Sequence, residues 1–283
     1  MSQISIGISA YNTEKYIKYA IQSILAQSYR DFELIIINDG STDNTSDEIK
    51  KFNDDRIVFI DDKENKGLIF RLNQLVKLSK NDFFIRMDAD DIMFPDRLEK
   101  QIEILNTNRN ADIIYSDAIS INNKNEVLGY KKSYLIKNKK DILEGRAPIH
   151  PSVAIKRHVL LDNPYQEGFF QMEDMELWYR LAENYNFFNI NEPLLFYREE
   201  STKISIKHKK MRKGLFNFTQ KYFPDHFIFK NKIMLASNLK FYMYSILEFF
   251  NQENLLLKRR YSQLELPECR KYQEILNKVS LNG

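Results

Sequence analysis

Residues 83–91 read Phe-Phe-Ile-Arg-Met-Asp-Ala-Asp-Asp, an apolar run that breaks off in carboxylates. So short a run between polar segments predicts a buried strand, since a helix needs ten or more residues. The same grammar repeats toward the N-terminus. Gln3–Ser9 alternates and is β-branched, a strand. Tyr16–Ala26 carries apolar residues at Ile17, Ala20, Ile21, Ile24 and Leu25, a helical spacing. Phe32–Ile37 is a second apolar run, stopped by Asn38-Asp39-Gly40. Ser41–Asp43 predicts the cap of a helix reaching about Phe52. Ile57–Ile60 is a strand and Leu68–Leu78 an amphipathic helix.

Alternating strands and helices build a parallel sheet with helices on its faces. Such sheets bind ligands beyond the carboxyl ends of their strands. Three polar clusters fall at such ends: Ser9–Asn12, Asn38–Asp43 and Asp88–Asp91. Further along, a helix is expected from Pro95-Asp96-Arg97 to about Leu105, and strands at Ile113–Ser116 and Ile119–Asn122. A helix is expected from Glu173 to Ala182, and an extended segment over Glu192–Arg198.

Each cluster has a chemical reading and a plain one. Asp88 and Asp90, two apart on a turn, can hold Mg²⁺ or Mn²⁺ while substrate phosphates fill the other positions, or they form an ordinary acidic turn. Asp39 can accept from a base or ribose, or Ser41 and Asp43 beside it can simply cap a helix. Tyr11 can lie over a base or pack on the surface. Asp174, with Glu173, can deprotonate an attacking hydroxyl, or the pair can complement a helix N-terminus. Arg71, Arg86 and Arg198 can meet diphosphate oxygens or serve as ion-pair residues. His150 is a candidate substrate contact. Trp178, one helical turn after Asp174, is either core or the floor under a sugar ring.

The 283 residues suffice for one large domain, or one domain with a helical appendage. The single cysteine, Cys269, allows no intrachain disulfide and suits a reducing, cytosol-facing location. No stretch is apolar enough to span a bilayer, and the N-terminus lacks the pattern of a signal peptide. Charge is uneven. Residues 1–206 carry 27 Lys/Arg against 33 Asp/Glu, a net of −6, while residues 207–283 carry 15 against 6, a net of +9. The basic segment is a solvated helix surface or is drawn to an anionic one. The acidic 1–206 and the lack of any nucleic-acid motif exclude a nucleic-acid binder.

Taken together, Ile-Ser-Ala-Tyr-Asn (8–12), the run from Phe32 to Thr45, Asn65-Lys66-Gly67, Met-Asp-Ala-Asp-Asp (87–91) with Pro95-Asp96-Arg97-Leu98, and Glu-Asp-Met-Glu-Leu-Trp (173–178) resemble the family-2 glycosyltransferases of the GT-A fold. The match covers roughly residues 3 to 205. The resemblance implies an α/β, Rossmann-like fold with a mostly parallel central sheet. It implies a nucleotide-binding half (about 1–110) and an acceptor-binding half (111–206) within a catalytic domain at 1–206; the change to a basic, aromatic texture from about Lys207 sets off a helical extension at 207–283. The resemblance implies transfer, with inversion, from a UDP-sugar to a saccharide hydroxyl. By position, Tyr11 and Asp39 hold the uracil, and Lys66, Gly67 and Arg71 line the nucleotide pocket. Asp88 meets the ribose or diphosphate and joins Asp90 on Mn²⁺ or Mg²⁺, and Asp174 is the base. Ile149-His150-Pro151-Ser152 resembles a segment near the acceptor and donor sugar, so His150, with Glu173 and Trp178, is a candidate substrate contact. Two departures stand out: Asn38 replaces a frequent aspartate, and Glu199-Glu200-Ser201-Thr202-Lys203 occupies the place of a histidine near the metal and diphosphate.

The pattern also resembles bacterial enzymes of surface polysaccharide synthesis (O-antigen, capsule, lipooligosaccharide), many with lipid-linked acceptors. A cytoplasmic enzyme, peripheral on the inner face of the membrane through residues 207–283, is the corresponding expectation. Lys207, Lys209, Lys210, Arg212 and Lys213 form the densest basic cluster and Lys258-Arg259-Arg260 a second; the same extension can instead form a homodimer interface. A nucleotidyltransferase would carry a Gly-rich, basic loop after its first strand, where this chain has Ala-Tyr-Asn-Thr-Glu. A non-catalytic nucleotide-sugar-binding partner protein is the alternative, and it predicts loss of Asp90 or Asp174; both are present.

Overall fold

The computed structural model of the chain describes residues 4–199, 204–250, 252 and 260–281. Four strands, β1 (Ile4–Ala10), β2 (Phe32–Asp39), β3 (Ile57–Asp62) and β4 (Phe83–Asp88), lie in the order β3-β2-β1-β4, all parallel. They are linked by α1 (Ile17–Leu25), α2 (Thr45–Lys50) and α3 (Leu68–Leu78). The apolar runs are buried on both faces, which is why they do not alternate. In β2, Leu34 and Ile36 join one core cluster while Ile35 and Ile37 join the other.

Beyond β4 the sheet turns mixed. β5 (Ile92–Met93), α4 (Arg97–Thr107), β6 (Ile113–Ile121), β7 (Val127–Lys131), α5 (Lys139–Leu143), β8 (Ala154–Lys156), α6 (Arg157–Asp162), α7 (Glu173–Leu181) and β9 (Phe187–Arg198) follow. The sheet continues β4-β8-β6-β9-β5, with β7 on β6. β8 is antiparallel to β4 and β6, and β9 is parallel to β6.

Two expected strands at Ile113–Ser116 and Ile119–Asn122 are one strand, β6. The polar interruption is a register shift at Asp117, whose carboxylate accepts from the Tyr130 hydroxyl and the Ser133 N–H, each at 2.6 Å. The expected cap at Ser41–Asp43 does two jobs. α2 starts at Thr45, and Asp43 Oδ1 accepts from Thr45 N at 3.0 Å, capping the first turn. Ser41 and the other oxygen of Asp43 accept from the backbone N–H groups of Asn12 (3.0 Å) and Glu14 (3.1 Å). Pairing of β1 with β2 brings these two loops together, so the same residues also tie them.

α8 (Ile204–Tyr222), α9 (Phe227–Phe249) and α10 (Leu266–Leu281) complete the described chain. Phe218 of α8 is buried in the cluster of α3 and α7. Leu276 and Val279 of α10 are buried with Ile92, Phe94, Ile119, Ile121 and Phe196 in a third cluster, in which Phe94 and Phe196 stack at 4.2 Å. No described helix is long and apolar enough to cross a membrane.

Leu276 is fully buried, so Leu276→Ala is expected to lower the unfolding free energy of the whole chain by about 2–5 kcal/mol in urea titration. An unchanged main transition would show that α10 is not part of the cooperative unit.

Candidate active site

Parallel pairing sets the site. Ser9 is opposite Asp88 and Ala10 opposite Asn38, so β1, β2 and β4 end side by side. Tyr11 follows β1 and is 48% exposed, free to offer its ring to a ligand. Asp39 is buried. Its carboxylate accepts from Lys66 N (2.8 Å), Gly67 N (3.0 Å) and Arg71 Nε (2.6 Å). Gly40 has φ +68°, and a Cβ there would lie 2.7 Å from Asn65 N, so only glycine lets the 63–67 loop close over the strand end. Arg71 is fully buried and also binds Asp62 (2.8 Å), Gln74 (2.7 Å) and the Glu64 carbonyl (2.7 Å). It therefore builds the pocket wall from behind rather than lining it. Lys66 is exposed at the loop tip, its ammonium 5.4 Å from the Phe70 ring.

At the end of β4, Asp88, Asp90 and Asp91 crowd on one turn. Asp91 is buried, and its pKa is pushed well above the usual carboxylate range by burial, then by Asp90 and Asp88. Its Oδ1 accepts from Arg198 N (2.8 Å), and its Oδ2 has no hydrogen-bond partner. Arg198 was a candidate diphosphate contact, but its guanidinium is consumed internally. Nε donates to the Asp90 carbonyl (2.8 Å), and the two terminal nitrogens donate to Asn122 O (2.5 Å) and Asn125 Oδ1 (2.7 Å). Arg198 thus fixes the backbone of the carboxylate turn. Below it Arg97, fully buried, has its pKa drawn down to about 9 by burial. Among the described residues no three His, Cys, Asp or Glu side chains gather as a metal site on their own. Asp88 and Asp90 supply hard oxygen donors, and Asp91 beside them keeps a buried oxygen with no hydrogen-bond partner. The donor set fits Mg²⁺ or Mn²⁺ completed by phosphate oxygens.

A cavity of about 510 Å³ adjoins this turn, with Arg86, Asp88, His150, Glu173 and Asp174 among its lining residues. Glu173 and Asp174 begin α7, following Gln171 at φ +64°. Asp174 accepts from Met175 N at 2.7 Å. Burial raises its pKa, opposed by that bond and by Arg86. Glu173 is raised by burial and then by Asp174. Arg86 pairs with Asp88 at 2.5 Å and has a buried Nε without a partner. His150 meets the Tyr165 hydroxyl through Nε2 at 2.8 Å; burial, then Arg86, hold its pKa well below the usual value, so it is neutral. Trp178 is 1% exposed, edge-on to His150 at 5.5 Å. It is core, not the floor of the cavity, and supports His150 from behind.

The sequence names Glu199 only as part of a departure, not as a site residue. It is buried and binds Lys131 and Arg260, both of which line the cavity. Its position directly after β9 is the signal that could have found it. Of Glu199-Glu200-Ser201-Thr202-Lys203, which stands in the place of a histidine near the metal and diphosphate, residues 200–203 lie outside the described residues, as do Lys258 and Arg259.

Residues 5–162 match the family described as Glycosyl transferase family 2. An uncharacterized glycosyltransferase of Methanocaldococcus jannaschii is 32% identical over 247 residues, 84% of this chain and 83% of that protein. The UDP-Glc:alpha-D-GlcNAc-diphosphoundecaprenol beta-1,3-glucosyltransferase WfgD of Escherichia coli is 29% identical, over 74% of this chain and 81% of its own. The crystal structure of S. aureus TarS 1-349 in complex with UDP-GlcNAc superposes with a TM-score of 0.60 at 18% identity, covering 99% of this chain and 80% of that one. The likeness shows the GT-A fold.

Raised carboxylate pKa values carry a stability signature. The protonated acids favour the fold, so their contribution is complete below the ordinary carboxylate pKa and is lost as pH rises through the raised values. Glu173→Gln is therefore expected to stabilise the protein by about 1–2 kcal/mol at pH 8, one pKa unit being worth about 1.4 kcal/mol, and to do little at pH 4. Melting curves at the two pH values check this; an equal shift at both would refute it.

Proposed function

Because the chain belongs to glycosyltransferase family 2, we propose that it transfers a hexose or N-acetylhexosamine from a UDP-sugar to a saccharide hydroxyl, inverting the anomeric centre. The observation that carries this reading is that Asp88, at the donor end of β4, and Asp174, at the start of α7, face one cavity. The UDP-GlcNAc held by the structural neighbour and the UDP-Glc in the name of the Escherichia coli relative support the choice of nucleotide. The diphosphoundecaprenol in that relative's name supports a lipid-linked acceptor in surface polysaccharide synthesis.

In this reading Tyr11 stacks on the uracil, a contact worth about 1–3 kcal/mol. Asp39 holds the Lys66–Gly67 backbone at the rim of the base pocket, and Asp88 and Asp90 would hold Mn²⁺ or Mg²⁺ beside the diphosphate. The cation, when bound, neutralises charge on the leaving diphosphate. Asp174 accepts the proton of the acceptor hydroxyl as that oxygen attacks the anomeric carbon from the side opposite the diphosphate. The C–O bond to the diphosphate breaks, its electron pair leaves with UDP, and the configuration inverts. Burial raises the pKa of Asp174, and the Met175 N–H and Arg86 oppose that rise, while His150, neutral, orients substrate hydroxyls.

Hydrolysis of UDP-, GDP- and dTDP-sugars with Mn²⁺ tests the class. Slow, metal-dependent release of UDP is expected. Asp90→Ala should lower it at least 100-fold. Asp174→Asn should abolish transfer to acceptor while leaving UDP binding within a few-fold. A folded protein that binds no nucleotide sugar would refute the reading and favour a non-catalytic partner.

The reading also places the enzyme against an anionic membrane face through α9. Ser237, Phe241, Tyr244 and Glu248 of α9 meet α8. At 100° per residue the opposite face carries Ile228, Leu235, Leu239, Tyr242, Ile246 and Phe249, all 57–83% exposed. Residues 204–250 hold nine Lys/Arg against two Asp/Glu. That charge attracts anionic lipid and repels a second copy of the same helix pair. Co-sedimentation with phosphatidylglycerol vesicles, but not phosphatidylcholine vesicles, is expected, and Leu239→Glu/Ile246→Glu should abolish it. A stable dimer without vesicle binding would make this face a dimer interface instead.

A further inference from the structure

The cavity that holds Asp174 has a second wall of opposite charge. Lys131, Lys132, Lys207 and Arg260 line it. None of them comes from the strands that end at Tyr11, Asp39 and Asp88. Lys131 ends β7, Lys132 follows it, Lys207 lies in the first turn of α8, and Arg260 precedes α10.

The wall is built rather than incidental. Glu199, whose side chain is 1% exposed, accepts from Lys131 Nζ at 2.8 Å, Arg260 at 3.1 Å and Ser120 Oγ at 3.2 Å. Its own N–H donates to Ile121 O at 2.9 Å. The chain after Arg260 is strapped to β7 by a two-way bond between Tyr130 and Ser262, both at 2.8 Å. Gly129 permits this approach: a Cβ there would lie 2.3 Å from the Tyr261 ring and 2.4 Å from Ser262 O. Lys131 also sits 4.5 Å over the Tyr197 ring. Glu199 pairs with two of the four cations, Lys131 and Arg260, and sets a single negative charge against the four positive charges of the wall. Like charges so gathered repel one another, and an uncharged sugar would not relieve that repulsion.

We propose that this wall is the binding site for a phosphate group carried by the acceptor, either a diphosphate linking the saccharide to its carrier or a phosphodiester within it. This rests on the transferase reading above. The donor diphosphate is provided for at Asp88 and Asp90, whereas all four cations belong to the acceptor half and the C-terminal helices. They share their cavity with Asp174, which acts on the acceptor. Planar, forked Arg260 and three ammonium groups suit tetrahedral oxyanions.

The test uses the full chain saturated with UDP and titrated calorimetrically with inorganic pyrophosphate, without added metal. Pyrophosphate is expected to bind wild type alongside UDP. Lys132→Ala/Lys207→Ala, two exposed positions where folding is not at stake, should weaken it at least tenfold with UDP affinity within twofold. Arg260→Ala should do the same if it folds, which circular dichroism reports. Tighter binding of pyrophosphate than of dimethyl phosphate supports a diphosphate linkage, and equal binding supports a phosphodiester. Pyrophosphate that competes with UDP would assign the wall to the donor and overturn the proposal. So would equal affinity in the double variant, or binding of glucuronate but no phosphate. Wild type that binds UDP but no pyrophosphate overturns this proposal alone; failure to bind UDP, read before pyrophosphate is added, strikes the donor assignment instead.

Discussion

Asp88, Asp90 and Asp91 are packed at the end of one strand, and the structure depends on how that charge is contained. Burial, and then the charges of Asp90 and Asp88, push the pKa of Asp91 well above the usual carboxylate range. Containment comes from arginines in different parts of the chain. Arg86 pairs with Asp88 from within the same strand. Arg97 lies buried beneath Asp91. Arg198 closes the turn through the Asp90 carbonyl and its own N–H to Asp91. Removing one partner of such a set leaves the others buried and uncompensated, at a cost of about 3–5 kcal/mol.

Arg198 also joins the two halves. It ends β9 and lies 108 residues from Asp90 along the chain. Its remaining donors hold Asn122 and Asn125 at the end of β6. The carboxylate turn of the nucleotide half is thus held by a residue of the acceptor half. A structural arginine and a substrate-binding arginine look the same in sequence; its hydrogen bonds decide which it is.

The segments after β9 complete the cavity as well as the core. Leu276 and Val279 pack under β5 and β9, while Arg260 and Lys207 reach the cavity. Glu199 links these parts, since its two cations come from β7 and from the segment before α10. The basic excess after residue 206 is therefore spread over two surroundings: part of it turns inward to the cavity, and part lies with the exposed face of α9.

The sequence alone determined the alternation of strands and helices that builds a parallel unit, and its polar strand ends, because apolar periodicity and the residues that stop it are local; the order β3-β2-β1-β4 came from the tertiary structure. It also placed Asp88, Asp90 and Asp174 at the beginnings and ends of elements, where one side chain's position follows from its neighbours. It did not tell that Ser41 and Asp43 would tie a neighbouring loop, that Ile113–Ile121 is one strand across the Asp117 shift, or that Trp178 is core. Nor did it pair Arg198 with Asp90, or Glu199 with Lys131 and Arg260, 68 and 61 residues away. Those outcomes belong to tertiary structure for one reason. Whether a polar side chain caps a helix, holds a loop or faces a substrate depends on which distant donor the sheet order brings within about 3 Å.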